Sequence, residues 1–322
     1  YKTSTGILQL SKTLTFKSPT MFLHLVTVCC FGLISTQAGR IDFPQDINLT
    51  NATPRDIYLK GHGLDFKQPE DALHRRLGML NIVNGQFASR GQFCYQAYLQ
   101  MSDGLNYWSC GGSLVSPTTV LTAAHCVQGA RSAVVVLGGL DLTQRRETGR
   151  VVLSAYGNEL KVHENYNANT VYNDIAVIKL PRPVTLNQYV CTVKVPGCTS
   201  STGSANSQGS FTVSGWGKTS DTTTTWKLKY ASVAGQSLRE CANYYRYNVN
   251  YSVIESQMCT SGSGGKSTCN GDSGGPLVQV ESTGNTVQRG IVSLGINSCE
   301  LSAPSVYTDV SYFSSWICSK LQ

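Results

Sequence analysis

The stretch "YNDIAVIKL", Tyr172 to Leu180, sets a short run of Ile, Ala, Val and Leu behind a single acid, Asp174. An apolar run this short, bounded by polar residues and rich in β-branched side chains, reads as a strand and not as a helix. Three further runs have the same character: "AVVVLGG" (133–139), "SFTVSGWG" (210–217) and "TVQRGIVSLG" (286–295). Each is bounded by Gly, Ser, Asn or Pro, and no long amphipathic helix separates them. That pattern predicts an all-β barrel or sandwich. The C-terminus is the exception. Tyr312, Phe313, Trp316 and Ile317 fall at i, i+1, i+4 and i+5, which predicts a helix docked by that face.

The chain has 322 residues, 41% of them apolar and only 14% charged, enough to build a packed core. The net charge of +7 is dispersed: nine of the 26 basic and six of the 19 acidic residues precede Ile82. No basic stripe forms, so nucleic acid is not an expected partner.

Residues 22–34, "FLHLVTVCCFGLI", follow Met21 and lead into "STQA", with small residues at Thr36 and Ala38. This is the pattern of a secretory signal peptide over 21–38, too short to span a bilayer. Residues 1–20 read as upstream translated sequence. Residues 39–81 are polar, lack cysteine and carry glycosylation sequons at Asn48 and Asn51, as expected of a propeptide. A third sequon begins at Asn250, within the remaining domain, 82–322. Of the 12 cysteines, Cys29 and Cys30 leave with the signal. The other ten, Cys94 to Cys318, are an even number in a secreted chain and predict disulfides. No C-x-x-C pair or zinc-spaced His/Cys cluster occurs, so neither metal nor cofactor is expected.

"TCNGDSGGPL", Thr268 to Leu277, rings Ser273 with small residues. A serine is a weak nucleophile without a base in reach. From Ile82 onward the histidines are His125 and His163. His125, in "LTAAHC", is apolar-flanked and tethered by a cysteine; His163, in "KVHENYN", reads as a solvated loop residue. The base needs a buried carboxylate to orient it, and Asp174 opens an apolar strand. Each residue alone has an ordinary reading: a core histidine, a strand cap, a turn serine. Together they read as nucleophile, base and orienting acid. "GSGGKST" (262–268) imitates a phosphate loop, but G-x-x-x-x-G-K-[ST] needs glycine where Thr260 stands, and no strand-loop-helix context surrounds it.

"IVNG", "LTAAHC", "NDIAVIKL", "SGWG" and "GDSGGPL", in that order, resemble the chymotrypsin family of serine proteases from Ile82 to the C-terminus, about three quarters of the chain. The resemblance implies two six-stranded antiparallel β-barrels with a C-terminal helix. It implies a zymogen whose active form cleaves peptide bonds through an acyl-enzyme. Ser273 would attack, His125 would carry the proton, and Asp174 would fix its tautomer. The backbone N–H groups of Gly271 and Ser273 would form the oxyanion hole. Asp272 would pair with the α-amine of Ile82 once the propeptide is cut. Disulfides Cys110–Cys126, Cys241–Cys259 and Cys269–Cys299 follow from the same resemblance. Cys94, Cys191, Cys198 and Cys318 remain, with three pairings open; Cys198–Cys318 with Cys94–Cys191 is favoured.

In the family, the residue six before the nucleophile floors the specificity pocket. Here it is Ser267, with Gly295 and Ser305 on the walls. An uncharged floor implies cleavage after Phe, Tyr, Leu or Met. "LGGLDL" lacks the paired acids of the family's calcium loop, so no metal is expected there. Implied partners are protein or peptide substrates and protein protease inhibitors, for a monomer acting in digestion or venom. Asn81, not Lys or Arg, precedes Ile82. If that bond is never cut, the alternative is a catalytically silent, protease-like binding protein.

Overall fold

The computed structural model describes residues 85–144, 146–198, 209–217, 226–263, 272–295 and 303–321. The expected signal and propeptide, with Asn48 and Asn51, lie outside the described residues, as do Ile82, Ser267, Cys269, Gly271 and Cys299.

Two antiparallel sheets coil into barrels. The first contains β2 (Gln96–Ser102), β3 (Tyr107–Ser116), β4 (Thr119–Thr122), β5 (Ser132–Leu137), β6 (Val151–Tyr156), β7 (Leu160–Val162) and β8 (Ala176–Lys179). Their order is β6-β5-β2-β3-β4-β8-β7. β6 and β7 stand at opposite ends of that order yet are consecutive in the chain, parted only by a 3-10 turn, Gly157–Glu159. They act as one bent strand that closes the sheet, so seven segments make six strands. The second sheet contains β1 (Gln86–Phe87), β9 (Ser210–Gly215), β10 (Lys229–Gln236), β11 (Gln257–Thr260), β12 (Pro276–Val280), β13 (Thr286–Leu294) and β14 (Ser305–Asp309). Its order is β1-β10-β11-β14-β13-β12-β9, and β9 also pairs with β10. That pairing closes a ring of six, with the two-residue β1 added at its edge. The expected double barrel is therefore observed.

Closure explains the continuous apolar runs. Ile175, Ala176, Val177 and Ile178 are all fully buried, so the strand has no polar face to alternate with. β2 is buried at every residue because one side lines the first core, through Ala97, Leu99 and Met101, while the other faces the second barrel. There Tyr98 meets Trp216 edge-on, with ring centroids 5.9 Å apart. Two hydroxyls buried in this region are bonded to glutamine oxygens. The Ser214 hydroxyl donates to Gln96 Oε1 at 2.7 Å, and the Ser113 hydroxyl to Gln288 Oε1 at 2.6 Å. Unpaired, each such group would cost about 1–3 kcal/mol.

Among the described residues, no helix is long and apolar enough to cross a membrane. Helix α1 (Ala124–Val127) is one turn, α2 (Leu238–Val249) packs on the second barrel, and α3 (Ser314–Lys320) closes the chain. Disulfides join Cys94–Cys191, Cys110–Cys126, Cys198–Cys318 and Cys241–Cys259.

The docking face of α3 differs from the expected one. Phe313 and Ile317 are buried, but Tyr312 precedes the helix and is 60% exposed. His163 also departs from its reading as a solvated loop residue. Its half-buried ring packs on Phe313 and Trp316, with centroids 5.3 and 5.0 Å away. Burial pushes its pKa below the ordinary 6.5, so it clamps α3 as a neutral ring. The neighbouring Glu164 accepts from Trp316 Nε1 at 2.7 Å and from Lys320 Nζ at 2.8 Å. The polar letters of "KVHENYN" concealed a helix-docking site.

Candidate active site

The strand β4, buried throughout, delivers the chain into α1, where Ala124 and Cys126 are fully buried on either side of His125. The Cys110–Cys126 bridge ties that turn to β3. His125 is thus held by its neighbours, with 29% of its side chain open to solvent.

Asp174 enters on the neighbouring strand of the same barrel, just before β8, whose Ala176 pairs with Thr122 at the end of β4. Asn173 before it adopts a left-handed φ of 56°, a conformation that asparagine tolerates better than most residues. The Asp174 side chain is buried and accepts three hydrogen bonds. Its Oδ1 takes the His125 backbone N–H at 2.8 Å, and its Oδ2 faces His125 Nδ1 at 2.8 Å. The Ser293 hydroxyl donates to the same Oδ2 at 2.6 Å. A carboxylate can only accept, so Nδ1 carries the proton of the neutral ring and Nε2 is left as the basic nitrogen. The second barrel completes the hold: the Thr308 hydroxyl donates to Asp174 O at 2.7 Å. Ser293 and Thr308 were missed in the sequence. Their only trace is a hydroxyl residue inside a run of buried strand.

Electrostatics suits a base. Burial alone would lower the His125 pKa, but the charge and hydrogen bond of Asp174 outweigh it, and the value rises above 6.5. If neutral His125 is the active form, kcat/KM will rise with pH through this raised pKa. The acid limb should therefore be half-maximal above pH 6.5, as a kcat/KM profile would measure.

Ser273 lies in the turn before β12. Its carbonyl accepts from Gly111 N at 2.7 Å and lies 3.5 Å from Cys126 Sγ, which puts the serine turn against the turn that carries His125. Gly274 makes this approach possible. Its φ is +78°, and a Cβ there would fall 2.2 Å from Thr122 Oγ1 and 2.7 Å from Gly111 O. No hydrogen bond joins the Ser273 hydroxyl to His125 Nε2 in this structure, and Nε2 lies 3.7 Å from Cys126 Sγ. Such bonds commonly tighten only when substrate binds.

Asp272 is fully buried, and its Oδ1 accepts from Gly217 N at 2.9 Å. A Cβ on Gly215 would fall 2.1 Å from that carboxylate, and one on Gly217 2.5 Å. Both glycines of "SGWG" are thus spaces reserved for Asp272. Gly295 is exposed with open space around it, while Ser305 is buried opposite Thr260 at the start of β14. Next to Ser305 in the chain, Pro304 O accepts the Tyr245 hydroxyl at 2.6 Å. Among the described residues, one cluster has metal-type donors: Cys110, His125 and Cys126. Its two sulfurs form a disulfide, so it offers no thiolate to a metal.

Two closed barrels that share a histidine–carboxylate pair beside a tight serine turn define the trypsin-like class of serine proteases. The trypsin family model matches residues 82–317, and the chain belongs to that family. The chain is 39% identical over 299 residues to a chymotrypsin of Phaedon cochleariae, covering 92% of this chain and 97% of that protein. An alignment of that extent takes in sequence upstream of Ile82. Brachyurin of Leptuca pugilator is 38% identical over 239 residues, or 73% of this chain and 96% of its own. A solved structure of HL collagenase superposes with a TM-score of 0.63 at 32% identity, covering 74% of this chain and 97% of the collagenase.

Proposed function

We propose that the protein is a secreted serine endopeptidase, made as a zymogen, that cleaves after large apolar or aromatic residues. The observation that carries this reading is the Asp174 carboxylate bonded to His125 Nδ1, which leaves Nε2 free to accept a proton. In the proposed cycle His125 Nε2 takes the Ser273 hydroxyl proton as Oγ adds to the scissile carbonyl. The N–H groups of Gly271 and Ser273 hold the resulting oxyanion. Collapse of the adduct breaks the C–N bond, and the same proton goes to the leaving amine. Water, deprotonated by His125, then adds to the acyl-enzyme, and its collapse returns the proton to Ser273. Asp174 stays ionised and stabilises the imidazolium.

The specificity reading rests on uncharged walls. The two described residues read as the pocket walls, Gly295 and Ser305, carry no charge. With Ser267 as the floor, a bound Arg or Lys side chain would lose water without gaining a counter-ion. A peptide-library profile of the activated enzyme should show kcat/KM for Phe, Tyr, Leu or Met above that for Lys or Arg by on the order of a hundredfold. Dominant cleavage after Lys or Arg would overturn this reading.

Activation is the second part. Asp272 sits in a fully buried site shaped by two glycines, where a new cation at Ile82 would be strongly held. Cleavage before Ile82 would then lock the 271–273 backbone into its oxyanion-binding form. Asp272→Asn should leave folding and the His125–Asp174 pair intact but lower kcat by at least about a hundredfold. A zymogen with an intact Asn81–Ile82 bond and full activity would refute the activation scheme.

A further inference from the structure

The end of helix α2 holds an arrangement that catalysis does not use. Asn250 caps the helix in the left-handed region, with φ 53° and ψ 39°. The next residues turn back inward. The Tyr251 N–H donates to Tyr245 O at 3.2 Å, and its ring lies 6.0 Å from that of Tyr245 and 6.1 Å from that of Tyr172. Ser252 is held as well, since its carbonyl accepts the Tyr172 hydroxyl at 2.8 Å. Asn250 is left as the exposed outer corner, pointing its chain segment at solvent while its flank is pinned. Asn250-Tyr251-Ser252 is also an N-x-S sequon.

A second observation meets the first. Tyr247 precedes Asn250 by three residues and lies in the last turn of the helix that Asn250 caps. It is 84% exposed, although the ring is large and apolar and its neighbour Tyr245 is buried. The C–H face of a pyranose is a natural cover for an aromatic face, whose π-cloud is electron-rich. Asn248 is not a competing acceptor, because it lies outside the sequon and its amide already donates to Tyr244 O at 2.8 Å.

We propose that Asn250 carries an N-linked glycan whose first N-acetylglucosamine lies across the Tyr247 ring. In the transfer, Asn250 Nδ2 replaces the pyrophosphate leaving group at C1 of a lipid-pyrophosphate-linked oligosaccharide and gives up one proton. The inference rests on the secreted reading above, since that donor is used in the secretory pathway. Sugars on Asn48 or Asn51 would leave with the propeptide. A sugar on Asn250 stays with residues 82–322, on the segment that Tyr172 ties to the loop before Asp174.

The test uses the full chain expressed behind a foreign secretion signal, in cells that keep glycans at the high-mannose stage. Entry into the secretory pathway then does not depend on residues 21–38. Peptide mass mapping of the secreted protein should show a glycan on Asn250, absent in Asn250→Gln. Trimming with an endoglycosidase that leaves one sugar should keep Tyr247 severalfold slower to nitrate with tetranitromethane than complete deglycosylation does. A secreted, folded protein with Asn250 unmodified would overturn the site. Equal Tyr247 nitration in the two forms would overturn the stacking. A chain glycosylated at Asn250 behind the foreign signal, yet retained in cells on its own N-terminus, would support this site and count against the secreted reading.

Discussion

Ser273→Ala is expected to abolish covalent labelling by a serine-directed phosphonate and to lower kcat by about a millionfold, the scale on which such nucleophiles act. It should do so without touching stability. The hydrogen bonds that fix the serine turn are made by backbone atoms: Ser273 O to Gly111 N, and Gly274 N to Val292 O. The side-chain oxygen takes part in none of these contacts, so removing it should shift the unfolding free energy by no more than about 0.5 kcal/mol. The pair of measurements separates two readings. A structural serine would lose stability with little change in rate, whereas a nucleophile loses rate alone. Undiminished labelling in the variant would end the assignment of Ser273. Labelling absent even from the cleaved wild type would favour the catalytically silent alternative.

The parts of this site that sequence could reveal are those written in local pattern. Asp174 stands out because a carboxylate at the mouth of four fully buried residues must find a bonding partner inside the fold or lose its charge. His125 stands out because alanines and a cysteine hem it in. The bonds between Asp174 and the second barrel leave no such mark. Ser293 is 119 residues away along the chain, and Thr308 is 134. A hydroxyl in a buried strand is compatible with any partner across a closed barrel, so alternation cannot name the one it meets. His163 was misread for a related cause. Its flanking letters are polar, but the aromatic rings that cover it come from α3 and the residue before it, at the far end of the chain. The glycines of "SGWG" were legible as the end of a strand run and as a family motif, yet their cause, the Asp272 carboxylate lying where two Cβ atoms would stand, belongs to tertiary packing.

Asp174→Asn should lower kcat by about ten-thousandfold, the scale that the Ser-His-Asp template gives for this change. The geometry here supplies the reason. The His125 backbone N–H can only donate, so the one remaining carbonyl oxygen of the asparagine must take the place of Oδ1. The amide NH2 then occupies the place of Oδ2 and points two donors toward His125 Nδ1 and the Ser293 hydroxyl. Nδ1 is forced to accept. The proton moves to Nε2, and the nitrogen that should receive the serine proton already holds one. The Ser293 hydroxyl can turn to accept, so the fold should survive. The pH profile carries an independent signature. The negative charge that raises the His125 pKa is gone, while the burial that lowers it remains. Residual activity should therefore show its acid limb below that of the wild type, with half-maximal kcat/KM below pH 6.5. A variant that keeps the wild-type limb, whatever its rate, would mean that Asp174 does not set the charge state of His125.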